Sequence, residues 1–195
     1  TFQPTLEYKY EYYLVGNEKY LGRHSLATSA MIASEYPFQS QFFLLLESTR
    51  FFQSSLVPGD ERDSTAYLCG ARFFIPFAGD GLFGFGASYK INQAEGSNWD
   101  YHNPQAWLQW TIPLGHSRST LSFSGILEHL DFDHVNTLFG ATRDDTRVTL
   151  KGSVTFRLNK NWHLSLGHTY LRNESTLPAY EYERNISSLF ATCMF

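Results

Sequence analysis

An all-β chain, folded as an antiparallel up-and-down transmembrane β-barrel of about ten strands, is what this sequence predicts, and three observations predict it. Apolar and polar side chains alternate with period two in segment after segment, the mark of strands with two unlike faces. The connections between those segments read alternately as long and short, as in a meander with tight turns at one end and loops at the other. The chain stops on Phe195 at the end of a segment that reads as a strand, where an open edge would be adhesive and a closed sheet would not.

Composition narrows the setting. Aromatic residues make up 17% of the chain and charged residues also 17%, against roughly 25% charged in soluble domains. Mean hydropathy is -0.30, so the apolar residues are spread among polar ones. The longest apolar run, Phe42 to Leu46, is far below the roughly 18 residues of a spanning helix. A membrane would therefore be crossed by alternating strands. The net charge of -4 gives no case for nucleic acid. Cys69 and Cys193 have no metal or redox spacing and are expected to be free thiols; no cofactor and no metal are implied. The 195 residues make one domain, 1–195, either a small barrel or the C-terminal part of a longer chain, and no signal peptide is visible.

In order along the chain, Leu6, Tyr8, Tyr10, Tyr12 and Leu14 share one face of the first strand, while Glu7, Lys9 and Glu11 share the other. A loop is expected from Gly16 to Arg23, then a weakly patterned strand from Ser25 to Tyr36, broken by Pro37. Ser40 to Phe52 forms the third strand, followed by a polar loop from Ser54 to Ser64. Tyr67, Cys69, Ala71, Phe73, Ile75 and Phe77 line one face of the fourth. Ala78-Gly79-Asp80-Gly81 is a hairpin turn, after which Phe83, Phe85, Ala87 and Tyr89 alternate with small residues. A loop from Asn92 to Pro104 precedes the strand Ala106 to Leu114. Gly115-His116-Ser117 leads to Thr120 to Phe132, and a third long loop covers Asp133 to Asp145. Arg147 to Leu158 is the clearest strand: Val148, Leu150, Val154, Phe156 and Leu158 oppose Arg147, Thr149, Lys151, Ser153, Thr155 and Arg157. Asn159-Lys160-Asn161 turns it into the strand opened by Trp162, and the loop Asn173 to Glu183 leads to the last.

A soluble up-and-down barrel is the competitor, with its apolar face inward. Long strands and aromatic residues at both strand ends favour lipid instead. Tyr36, Phe38, Phe77, Trp162 and Phe195 stand beside the short turns as membrane-interface aromatics, with Tyr13, Phe51, Phe52 and Tyr170 beside the loops.

The stretch Arg143-Asp144-Asp145, the strand from Arg147, Asn161-Trp162-His163-Leu164, and the run Asn173 to Asn185, closing on Phe195, resembles the C-terminal barrel of the surface lipoprotein assembly modifiers. Those are outer-membrane proteins with periplasmic tetratricopeptide repeats, and exopolysaccharide-system barrels have related endings. The resemblance covers the last quarter of the chain. It implies a non-enzymatic barrel in the outer membrane of a Gram-negative bacterium, serving translocation or assembly of surface lipoprotein or polysaccharide. Its partners would be lipid and lipopolysaccharide, an exported client, and the barrel-assembly machinery, met through the last strand. Barrels of that family are usually larger, and no helical repeat precedes this one.

Candidate residues follow from the expected faces. Glu7, Lys9, Glu11, Arg72, Arg147, Lys151 and Arg157 should point inward and form a network of ion pairs, since buried charge must be paired. Arg23, Arg50, Arg62, Lys90, Arg172 and Arg184, near the loop ends, suit lipopolysaccharide phosphates. Two other function classes stay open. One is a surface-binding barrel using the loops Ser54 to Ser64, Asn92 to Pro104 and Asn173 to Glu183. The other is a hydrolase at the rim, since Glu128, His129, Asp131, Asp133, His134, Asp144 and Asp145 resemble the acid and histidine set of the omptin proteases. Ser165 beside His163 lacks the acid that a serine nucleophile needs. The termini and short turns are expected in the periplasm and the loops outside the cell. The two glycosylation sequons, at Asn173 and Asn185, carry no meaning in that setting.

Overall fold

Period-two alternation leaves each segment stable only as a strand laid beside another. The computed structural model describes residues 1–33, 38–53, 55–77, 81–115 and 119–193. It has strands β1 (Phe2–Val15), β2 (Glu18–Ala33), β3 (Gln39–Phe51), β4 (Ser64–Phe77), β5 (Gly81–Ala94), β6 (Tyr101–Leu114), β7 (Ser119–Val135), β8 (Thr142–Arg157), β9 (Trp162–Ser175) and β10 (Tyr182–Cys193). They form one ten-stranded antiparallel sheet in sequence order.

Residues directly opposed in an antiparallel ladder share a face, so the register sorts the side chains. Tyr8 opposes Leu26, Leu26 opposes Leu46, Leu46 opposes Tyr67, and Tyr67 opposes Ile91. Further along, Phe85 opposes Leu108, which leads through Gly125 and Leu150 to Tyr170. An apolar row thus runs from β1 to β9. On the other face, Gln105 opposes Glu128, Glu128 opposes Arg147, and Arg147 opposes Asn173.

The apolar set is the exposed one. Leu44, Leu108 and Leu150 are 58%, 51% and 52% exposed, while Lys90, Gln105, Trp107 and Gln109 on the polar face are half-buried. A soluble barrel would reverse that order. Among the described residues the buried hydrophobic side chains are Leu21, Ala66, Leu130, Phe132 and Leu177, all near the loop end of the sheet. Phe38, stacked on Phe73 at 5.7 Å, stands with Phe77 and Trp162 at the opposite, turn end, as the interface expectation had it. Tyr36 and Phe195 lie outside the described residues, as do residues 78–80 of the expected hairpin turn.

Several expectations need correction. The first connection is not a long loop: β1 and β2 meet in a hairpin at 16–17, where Gly16 adopts φ 65°. The loops expected over Asn92 to Pro104, Asp133 to Asp145 and Asn173 to Glu183 shrink to 95–100, 136–141 and 176–181. Backbone pairing needs no apolar alternation, so polar residues extend these strands: Asn92 pairs with Tyr101, and Asp131 with Asp144. The strict alternation of long and short connections therefore does not hold, and 52–63 is the one long loop among the described connections. Among the described residues the ladders run from β1 to β10 with no β1–β10 pair, so the expected closure is not seen. Both edge strands are open on both faces, and β10 carries the polar residues typical of an edge, such as Glu183, Asn185 and Ser187. Cys69 and Cys193 are free.

Candidate functional site

At the loop end of the sheet the connections fold onto one another. Asn98, in the one-turn helix Ser97–Trp99, donates its backbone N–H to the Gly59 carbonyl at 2.9 Å, and Gly96 donates to Glu61 at 3.0 Å. The Asn98 side chain then clasps the next loop: its amide donates to Thr137 Oγ1 at 2.8 Å and its carbonyl accepts the Thr137 N–H at 2.9 Å. Thr137 in turn donates to the Pro58 carbonyl at 2.8 Å. Gly59 has φ 81°, and a Cβ there would come within 2.9 Å of Thr137 Cγ2, so this junction needs glycine. Trp99 Nε1 donates to Asp60 at 2.8 Å, and Asn136 reaches the Tyr180 hydroxyl at 3.3 Å. The loops 52–63, 95–100, 136–141 and 176–181 are thereby one cap.

Arg143 pins the cap to the sheet. It and Asp145, two residues apart on β8, are 5% and 0% exposed. Arg143 Nε donates to both Asp145 oxygens at 3.0 Å. The guanidinium lies over Tyr180 at 3.6 Å, Phe132 at 4.3 Å and Trp99 at 5.6 Å, a cation held by rings from three elements. Asn173 donates to Asp145 at 3.1 Å and to the Tyr180 carbonyl at 2.9 Å. Burial alone pushes the Asp145 carboxyl up. Hydrogen bonds from Arg143, Ser175 and Asn173, with the Arg143 charge, outweigh it and hold the group below the usual range. The sequon asparagine at 173 is thus buried and already bonded.

Beneath the cap the polar face divides. Toward the loop end its charges pair: Lys9 with Glu11 at 2.7 Å, Arg23 with Glu11 at 3.9 Å and Glu47 at 3.6 Å, Lys90 with Glu47 at 3.9 Å, and Arg147 with Glu128 at 3.9 Å. Asn103 and Gln105 add amide donors to Glu128 at 3.3 and 3.2 Å. Arg72, Lys151, Arg157 and Glu7 lie on the same face, yet among the described residues none has an opposite charge within 4.0 Å. Of the seven residues expected in an ion-pair network, Lys9, Glu11 and Arg147 are therefore paired, and the other four have no ion pair among the described residues.

The set assigned to lipopolysaccharide separates as well. Arg50 and Arg172 lie on the apolar face, opposite Gly22 and Val148, with Arg172 paired to Glu174 at 2.6 Å. Arg62 belongs to the cap, over Trp99 at 4.6 Å. Arg23, Lys90 and Arg184 are on the polar face, because residue parity along a strand, and not nearness to its end, decides which way a side chain points.

The rim acids and histidines do not converge. Glu128 faces the polar side and its neighbour His129 the apolar side, where it meets Asp144 at 3.5 Å. His102 meets Asp133 and His134 meets Asp100, each at 3.4 Å. Among the described residues no three His, Cys, Asp or Glu side chains are placed to hold a metal ion. Ser165 is hydrogen-bonded to Thr155 at 2.9 Å, and its neighbour His163 opposes Arg157, not an acid.

No protein-family model, curated protein or solved structure matches this chain. Sequence reasoning passed over Asn98, Trp99, Asn136, Thr137, Arg143 and Tyr180. The one trace available was that Arg143 and Asp145, two apart on a strand, must share a face.

Proposed function

We propose that the chain forms the wall of an outer-membrane β-barrel, non-enzymatic, with its polar face inward and the loop cap over the external end. One observation carries this reading: an apolar row from β1 to β9 stays exposed while Lys90, Gln105, Trp107 and Gln109 behind it are half-buried, the inverse of a soluble protein and the order lipid demands. Strands of 12 to 17 residues exceed the roughly 9–11 that cross a bilayer, which leaves the cap clear of the membrane. Phe38, Phe77 and Trp162 suit the periplasmic interface. The protein should need detergent or lipid to stay dispersed. A monodisperse sample in plain buffer would defeat the reading.

Within that setting the role is translocation or assembly for surface lipoprotein or polysaccharide, with the polar face as the route and the cap as its outer closure. Cells lacking the protein should retain the client in the periplasm and regain surface display on complementation. Unchanged surface lipoprotein and polysaccharide would refute this part. Surface binding is the second reading, and one observation favours it: Leu56, 98% exposed, stands in a loop clasped to the one that carries exposed Leu138 and Phe139.

A further inference from the structure

Two adjoining cavities open on the polar face. One, of about 320 Å³, is lined by Lys151 with Ser122, Ser153 and Thr169. The other, of about 300 Å³, is lined by Arg72 with Phe43, Trp107 and Gln105. Gln109 and Ser124 line both, so they are neighbours across a shared wall. Each is at the lower end of the size of small-molecule sites. No carboxylate lines either one.

Arg72 lies over the Phe43 ring at 4.5 Å and the Trp107 ring at 5.5 Å. Two rings lie near the guanidinium while Arg72 itself stays exposed, so its N–H groups are open to a partner. Gly86 lets Trp107 approach β5 closely; a Cβ there would meet Trp107 Nε1 at 2.6 Å. The Trp107 N–H is buried with no acceptor among the described residues, and a buried donor left so is costly. Elsewhere on this face Lys9, Arg23, Lys90 and Arg147 all have acids. Here two cations with hydroxyls and amides surround space that, among the described residues, has no anion of the protein's own.

We propose that these cavities bind a small hydroxylated anion of monosaccharide size, a sugar acid or a sugar phosphate. Arg72 takes the charged group in one cavity and Lys151 in the other, on either side of the Gln109–Ser124 wall. Ser122, Ser153 and Thr169 meet the ligand hydroxyls. This extends the barrel reading by naming what the interior holds. It does not depend on lipid, because the cavities belong to the polar face whatever covers the other.

The test is titration calorimetry on the full chain, in detergent or in buffer as its solubility requires, with glucuronate, glucose 6-phosphate and neutral glucose as probes. Glucuronate or glucose 6-phosphate should bind saturably, at least about tenfold tighter than glucose, and weaken as salt rises. The anion preferred tells carboxylate from phosphate. Arg72→Gln and Lys151→Gln should each weaken binding about tenfold with an unchanged urea midpoint. If either variant fails to fold, the salt dependence measured on the native chain decides instead. The proposal is overturned if neither anion binds, if glucose binds as well as they do, or if binding ignores both substitutions and salt. A protein found soluble without detergent would sink the membrane reading and leave this result standing.

Discussion

Arg143 and Arg72 are the same residue in two regions of one polar face, and both lie against aromatic rings. Arg143 has Asp145, held by Asn173, and three rings. Arg72 has two rings and no acid. The first guanidinium is spent on the protein: its charge is neutralised, and the cap rests on it. The second stays exposed, and among the described residues no acid neutralises it, so its charge is open to a partner from outside the chain. Stacking by itself does not tell a structural arginine from a binding one; the carboxylate does.

Removing that carboxylate is the harshest way to break the contrast. Asp145→Ala leaves Arg143 buried and unpaired and should cost about 3–5 kcal/mol, read as a lowered urea midpoint with Trp99 fluorescence moving toward that of an exposed indole. A third arginine, set on the opposite face by Leu150→Arg, faces Tyr170 and Gly125 with no acid directly opposite. It should cost about 2–4 kcal/mol in a bilayer if it lies near mid-depth, and nearly nothing if that face meets water. Breaking the loop clasp with Asn98→Ala should cost about 1–3 kcal/mol, since it strands Thr137, and should loosen the cap while the far-ultraviolet strand signal persists. Acid sharpens the comparison further. Asp145 has its carboxyl depressed in the folded state, so its stabilisation is complete above the unfolded value of about 4 and is lost as pH falls through the lower, folded one. Trp99 emission should therefore hold from neutral pH down to about 4 and shift only below it. The smallest effect belongs to Arg72→Gln, which removes an exposed charge with no acid partner among the described residues and should leave the urea midpoint unchanged.

The strands and their faces were legible because alternation is a local property. The rows through β1 and β8 could be read residue by residue, and the register places them as expected. The weakly patterned β2 was not, since its apolar-face residues include His24, Thr28 and Ala30, small or polar groups with little contrast. Parity reassigns Arg23, Lys90 and Arg184, whose sequence neighbourhood near a loop suggested an outward rim. The cap left no periodic trace. Its contacts are single hydrogen bonds such as Asn98 to Thr137 and Thr137 to Pro58, between residues 39 and 79 apart in the chain. The unpaired state of Arg72 is likewise invisible in sequence, because it depends on which acids stop short of it.

That span between Thr137 and Pro58 has a kinetic meaning. Every ladder joins strands consecutive in the chain, so hairpins can form one after another at little loop-closure cost. The clasp joins residues 79 apart and Arg143 meets Tyr180 from beyond β9, so these contacts carry a larger closure cost than any hairpin. The cap should therefore form after the hairpins that carry its loops, with Trp99 fluorescence lagging the far-ultraviolet strand signal on refolding.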